Sequence, residues 1–181
     1  MRVLFVISDL GFHGAQKQVV ELSRELDRNG HEVAIYTLND DAPRAAELAG
    51  TAVEVIVDQK RTKLDPAVLL RLRRRIIGGR ADIVHGFLFD GDIYARIAAL
   101  GTGAIVLNSE RSDDYEISFA QKLAHWLTKP LVDGVVAVAV RPRFLDQLRT
   151  EGEHERGFER AGVFTYPLEP DTPAAKLDGH L

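Results

Sequence analysis

Two stretches concentrate residue types that could do chemistry. In the first, Asp9-Leu-Gly-Phe-His-Gly14, the residues Gly11, His13 and Gly14 follow the apolar run Val3-Leu-Phe-Val-Ile7 and precede a helical pattern. In the second, His85-Gly86 and Ser109-Glu110-Arg111 each close a further apolar run. A helix beginning at Gly14 would turn free backbone N–H groups and the positive end of its dipole toward anything above it, so phosphate is the first ligand to consider. An imidazole at His85 could accept a proton or hydrogen-bond a hydroxyl when neutral, and face a phosphate when charged. Plainer explanations stand beside these. Two glycines alone are better explained by positive φ in a tight turn. A lone histidine is more often structural, and only its place at the end of a strand sets a catalytic role on an equal footing. Asp90 and Asp92 read as carboxylates at a helix N-terminus.

Other chemistries lack their signatures. A dinucleotide fingerprint needs GxGxxG and a P-loop needs Gly-Lys-Ser/Thr, and neither occurs. No GxSxG elbow is present, and no histidine pair has zinc-ligand spacing.

The elements that must hold these residues alternate regularly. Val3–Ile7 reads as a strand buried on both faces. Val19, Leu22 and Leu26 recur at helical spacing among charged residues, and Asn29-Gly30 ends that helix. Strands follow at Glu32–Thr37, Val53–Val57, Asp82–His85, Ala104–Ser109 and Gly134–Val140. Between them fall a short helical piece at Pro43–Leu48 and helices at Gly91–Leu100 and Phe119–Leu127. A further helix opens on Asp65-Pro66, runs to Ile77 and closes on Gly78-Gly79. Strand–helix alternation implies a doubly wound parallel α/β sheet with right-handed crossovers, Rossmann-like in outline. Ligands in such a sheet lie beyond the carboxyl ends of the strands where strand order reverses, which selects Gly11, His13, Gly14, His85, Gly86, Ser109, Glu110 and Arg111.

The 181 residues suit one substantial core, and with no cysteine there is neither a disulfide framework nor a thiolate metal site. Lack of thiols, of a basic-then-apolar leader and of any window near the roughly 20 apolar residues of a membrane span points to a soluble, cytoplasmic protein. Residues 1–150 hold 20 acidic and 20 basic side chains, whereas 151–181 hold 7 and 3, so the whole net charge of −4 sits in the last segment. That segment also carries three prolines and is expected to be an acidic, mobile tail to a domain spanning 1–150. The basic cluster of Lys60, Arg61, Lys63, Arg71 and Arg74 reads first as a solvated helix face. Weak contact with an anionic membrane, at its inner face, is the alternative. Nucleic acid is disfavoured because the domain is neutral and no aromatic residues interleave the cations.

Three segments together resemble the acceptor-side, N-terminal domain of family 4 glycosyltransferases, retaining enzymes built from two Rossmann-like domains in the GT-B arrangement. They are Gly14-Ala-Gln with Val19-Val-Glu-Leu22 and Arg28-Asn-Gly-His-Glu-Val33; Asp82-Ile-Val-His-Gly-Phe-Leu-Phe89 with Ala95-Arg-Ile-Ala-Ala99; and Asn108-Ser-Glu-Arg111 with Val135-Val-Ala-Val138. The likeness covers residues 1 to about 150. It implies transfer of a sugar from a nucleotide-sugar to an acceptor hydroxyl with retention, the glycine turn near the donor diphosphate and His85 at the acceptor. The leaving phosphate itself can take the acceptor proton, so no metal or other cofactor is implied. Departures are visible: His13 stands where the family has the first glycine of its pair, Phe87 where many members have a second histidine, and Ala139-Val-Arg-Pro142 shortens the segment after the sixth strand. The donor-binding domain has no room in 181 residues, which implies a truncated half, inactive without a separate donor-binding partner. A non-catalytic acceptor-binding or partner-docking module is the alternative, and an unrelated Rossmann-like nucleotide-binding enzyme a weaker one.

Overall fold

The computed structural model describes residues 1–110 and 118–137, all within one compact unit, Met1–Ala139. Six strands, β1 (Arg2–Ile7), β2 (Glu32–Thr37), β3 (Glu54–Val57), β4 (Ile83–Phe87), β5 (Ile105–Glu110) and β6 (Gly134–Ala137), form one sheet in the order β3-β2-β1-β4-β5-β6. Every pairing is parallel, as the alternation of elements requires. The expected boundary near residue 150, the segment 151–181 and residues 138–140 of the sixth strand lie outside the described residues.

Alternation along β1 decides which layer each side chain joins. Val3, Phe5 and Ile7 face α1 (Gly14–Arg28) and pack with its Val19 and Val20, with Leu48 of the 3-10 turn Pro43–Leu48 and with Phe87. Leu4 and Val6 face the opposite layer, where α2 (Pro66–Gly78) supplies Val68, Leu72 and Ile76 and α3 (Leu88–Ala99) supplies Tyr94, Ala95 and Ala98. A fourth helix, α4 (Phe119–Thr128), opens with a reciprocal Ser118–Gln121 capping box and packs beside α3.

The helix ends show which local signals work. Gly30 has φ 77°, and the N–H groups of Gly30 and His31 reach Asp27 O and Leu26 O, a Schellman closure of α1. Asp65 caps α2 by accepting from Ala67 N at 2.9 Å, with Pro66 in the first turn. At the other end of α2 the left-handed residue is Arg80 (φ 49°), not a glycine. Gly79 is needed for space instead: a Cβ there would stand 2.9 Å from Arg75 O.

Candidate functional site

From β1 the chain winds one way to β2 and β3, and from β4 the other way to β5 and β6, so sheet order reverses between β1 and β4. The crevice beyond their carboxyl ends is bounded by the loop 8–13 and by the start of α3. That loop is held at both sides. Asp9 Oδ1 accepts from Gly11 N at 3.0 Å and from the buried Gln16 Nε2 at 2.8 Å. Leu10 N donates to Asp41 O at 2.8 Å, and Arg44 donates from its backbone N to Leu10 O and from Nε to Gly11 O. Between these anchors Phe12 projects outward, 70% exposed, with the Arg44 guanidinium 5.1 Å from its ring centre.

Neither Gly11 nor Gly14 takes positive φ, which overturns the turn explanation of the pair. Gly11 is buried, and a Cβ there would sit 3.2 Å from Asp9 Oδ1, so its lack of a side chain lets the loop fold over that carboxylate. His13 and Gly14 are exposed. His13 is the N-cap residue of α1 in extended backbone, without a side-chain capping bond, and the first turn has no acidic residue. The positive end of α1 therefore opens on the crevice without a side-chain cap.

β4 runs two residues further than its sequence pattern suggests, and His85 lies inside it rather than at its end. The reason is local: Leu88 takes φ 62° and α3 begins at once, three residues before the expected Gly91. His85 is 5% exposed, with its ring between Phe5 (centroids 5.6 Å apart) and Phe87 (4.5 Å). Its Nε2 is 2.9 Å from Ser109 Oγ on β5, itself buried. Burial lowers the His85 pKa to about 4, so the imidazole is neutral near pH 7 and available for hydrogen bonding rather than for attracting phosphate by charge. Glu110 ends β5 opposite Ala137, and Arg111 lies outside the described residues.

The sequence reading missed several residues that shape this region. Asp9 and Arg44 tie down the loop. Gly91, with Gly86, which the sequence had already placed at the end of the strand, lets α3 lie on the sheet: a Cβ at Gly86 would meet Asp92 Cα at 2.7 Å, and one at Gly91 would meet Val6 O at 2.4 Å. Arg96 is 3% exposed, an arginine set among the apolar residues of Ile93-Tyr-Ala-Arg-Ile-Ala-Ala99, which was its available signal. It donates to Thr128 Oγ1 at 3.0 Å and, from Nε, to the Asn108 amide oxygen at 2.9 Å. Asp90 lies in the first turn of α3, as expected, and pairs with Lys60. A groove of about 300 Å³ lined by Arg2, His31, Glu32, Glu54 and Arg75 opens at the amino end of the strands, away from this chemistry. Among the described residues no three His, Asp or Glu side chains are grouped to hold a metal, and no helix is long and apolar enough to cross a membrane.

The chain is thus an open, doubly wound α/β domain with an uncapped helix N-terminus at the point where strand order reverses. The profile of Glycosyltransferase Family 4 matches residues 12–150, most of the chain, and the protein belongs to that family. No curated protein sequence matches. Among solved structures, one assigned as a UDP-N-acetylglucosamine 2-epimerase from Listeria monocytogenes is similar at 15% identity and a TM-score of 0.55, over 83% of this chain and 41% of its own. A second, described as MT0777, is similar at 14% identity and a TM-score of 0.50, over 86% of this chain and 99% of its own. At these identities both likenesses concern the fold. The chain spans less than half the length of the epimerase structure.

Proposed function

We propose that the chain is the acceptor-side domain of a glycosyltransferase that moves a sugar from a nucleotide-sugar to an acceptor hydroxyl with retention, working opposite a separate donor-binding domain. The observation that carries this reading is the family match over residues 12–150, which takes in the start of α1, β4 and the start of α3. The uncapped start of α1 supports it, being placed to face a donor diphosphate. The leaving phosphate takes the acceptor proton, and the neutral His85 serves the acceptor side by hydrogen bonding, with Ser109 as its neighbour. The test is backbone amide NMR of the 181-residue chain titrated with candidate acceptors. Shifts gathered in residues 8–14, 86–90 and 107–110 are expected, and shifts elsewhere, or none across a broad acceptor panel, would overturn the assignment.

One observation favours a second reading, a non-catalytic acceptor-binding or partner-docking module. His85 is 5% exposed beside Phe87, so contact with an acceptor requires that ring to move. Turnover restored by a donor domain in trans, and lost in a His85 variant that stays folded, separates the two.

A further inference from the structure

Among the described residues Phe12 is the most exposed large apolar side chain, at 70%, and it sits on the loop that bounds the crevice. Single exposed apolar residues are ordinary, but this one is held in place. The Arg44 guanidinium lies over its ring, 5.1 Å from the centroid, a cation on a π face. Arg44 is itself fixed: its side chain is 14% exposed, Nε donates to Gly11 O at 3.0 Å and Nη1 to Glu47 Oε1 at 2.6 Å. The residues on either side of Phe12 are tied as well, Gly11 N to Asp9 Oδ1 and His13 N to Gly11 O. One face of the ring is thus taken by the cation, and its exposure leaves the other to solvent. Polar groups gather beside it. The position that a Gly11 Cβ would occupy is 3.4 Å from Asp41 Oδ2 and 3.6 Å from His13 Cδ2. Asp41 and His13 are exposed, and neither side chain has a hydrogen-bond or ion-pair partner among the described residues.

We infer that Phe12, braced by Arg44, is a stacking platform for a sugar ring, so that the acceptor is itself a saccharide, an assignment that rests on the acceptor-side reading above. A pyranose carries C–H bonds on its faces and hydroxyls around its rim. The partly positive C–H groups suit the negative face of an aromatic ring, and rim hydroxyls suit a carboxylate and an imidazole beside that ring, here Asp41 and His13. Other hydroxyl acceptors match only part of this arrangement. An aromatic alcohol stacks on the ring but brings one hydroxyl to two polar side chains, and a linear polyol has the hydroxyls without a flat face to lay on the ring. The ties on the loop form the platform before any ligand arrives, so little ordering cost falls on binding. Phe12 stands one residue before the N-cap of α1, at the crevice beyond the carboxyl ends of β1 and β4, where an incoming acceptor would pass it.

The test is saturation-transfer NMR of the 181-residue chain with the methyl glycosides of glucose, galactose and mannose, with sorbitol as the linear polyol and with benzyl alcohol as the aromatic one. Binding of at least one glycoside through its ring C–H protons is expected, tighter than that of sorbitol or benzyl alcohol. Phe12→Ala and Phe12→Leu should each weaken it about 10-fold, whereas Phe12→Trp, which keeps an aromatic face, should retain it. Because Phe12 is exposed, all three variants should unfold at the urea midpoint of the parent. Asp41→Ala should weaken the glycoside and leave benzyl alcohol unaffected. The inference is overturned if none of the glycosides binds, if Phe12→Ala binds them as the parent does, or if sorbitol or benzyl alcohol binds as tightly. Glycoside binding that depends on Phe12, without glycosyl transfer to that glycoside when a donor domain is supplied in trans, would refute the functional reading and leave the platform standing. Acceptor-induced shifts confined to residues 86–90 and 107–110, and unchanged in Phe12→Ala, would do the reverse.

Discussion

His85 ties the protein's stability to pH with a sign set by its burial. Its pKa is lowered to about 4 in the fold, against about 6.5 in an unfolded chain, so between these values only the unfolded state takes up the proton. The stabilisation is complete above the unfolded value and declines as pH falls toward 4, by about 1.4 kcal/mol per pH unit and about 3 kcal/mol in all as an upper bound. His85→Gln should therefore lose less stability than the parent between pH ~7 and ~4.5, read from urea midpoints at each pH. An equally steep loss in the variant would show that other groups carry the acid limb. Asp58 shifts stability in the same direction for a different reason, because the fold favours its charged form rather than a neutral one. Burial pushes its carboxyl up, but hydrogen bonds from Arg71, at 2.8 Å to both oxygens, and from Tyr36 more than offset this and leave its pKa below the ordinary value. Its contribution is present above the unfolded carboxylate pKa and is lost as pH falls through the lower folded one. Asp58→Asn should cost about 1–3 kcal/mol at neutral pH, discounted because Arg71 is half exposed. A urea midpoint equal to the parent's would refute that estimate.

At the scale of elements, the passage from β4 into α3 concentrates the constraint. Gly91→Ala gains about 1 kcal/mol of helix propensity but places a Cβ 2.4 Å from the Val6 carbonyl, where backbone must give way. Overpacking wins, and a net loss of about 2–3 kcal/mol is expected in equilibrium unfolding; a stabilised variant would mean that α3 lifts off β1 at little cost. Leu88, at φ 62°, should tolerate glycine within about 1 kcal/mol, since relief of backbone strain offsets the lost contact, whereas valine there should cost about 2 kcal/mol. These residues also mark how far the sequence could be read. Element identities were legible because periodicities of 2 and 3.6, with Asp65-Pro66 and Asn29-Gly30 as punctuation, are local signals. The end of β4 was not, because a leucine at positive φ has no sequence signature and Gly86 and Gly91 owe their identity to neighbours distant along the chain. The candidate site was legible in part for the same reason. Strand-end position selected His13, Gly14, His85 and Ser109, but the anchoring of the loop by Asp9 and Arg44 depends on chain segments that meet only in the fold.

At the scale of the whole molecule, the two readings of the site make opposite forecasts for one variant. Retaining transfer needs the donor diphosphate held against the crevice while the acceptor hydroxyl approaches, and preorganised positioning and charge stabilisation supply much of such a barrier reduction. The 181-residue chain without a second Rossmann-like domain should therefore form no glycoside above background from any nucleotide-sugar. Robust turnover by that chain would sink the two-domain reading. With a donor domain supplied in trans, His85→Ala is the discriminating change. A hydrogen-bonding group at the acceptor is worth on the order of 100-fold in rate. Trimming a buried ring packed between Phe5 and Phe87 also costs stability, about 2–4 kcal/mol, so activity must be expressed per folded molecule. His85→Gln, which keeps a hydrogen-bonding group toward Ser109 and more of the volume, guards against the alanine variant failing to fold. A fall of about 100-fold in kcat/KM per folded molecule in either variant, with the fold retained, supports the role of His85 at the acceptor. Full activity per folded molecule, with only the melting temperature lowered, makes His85 a core residue that braces Ser109 and Phe87, and moves the acceptor chemistry to the exposed wall of the crevice at His13 and Gly14.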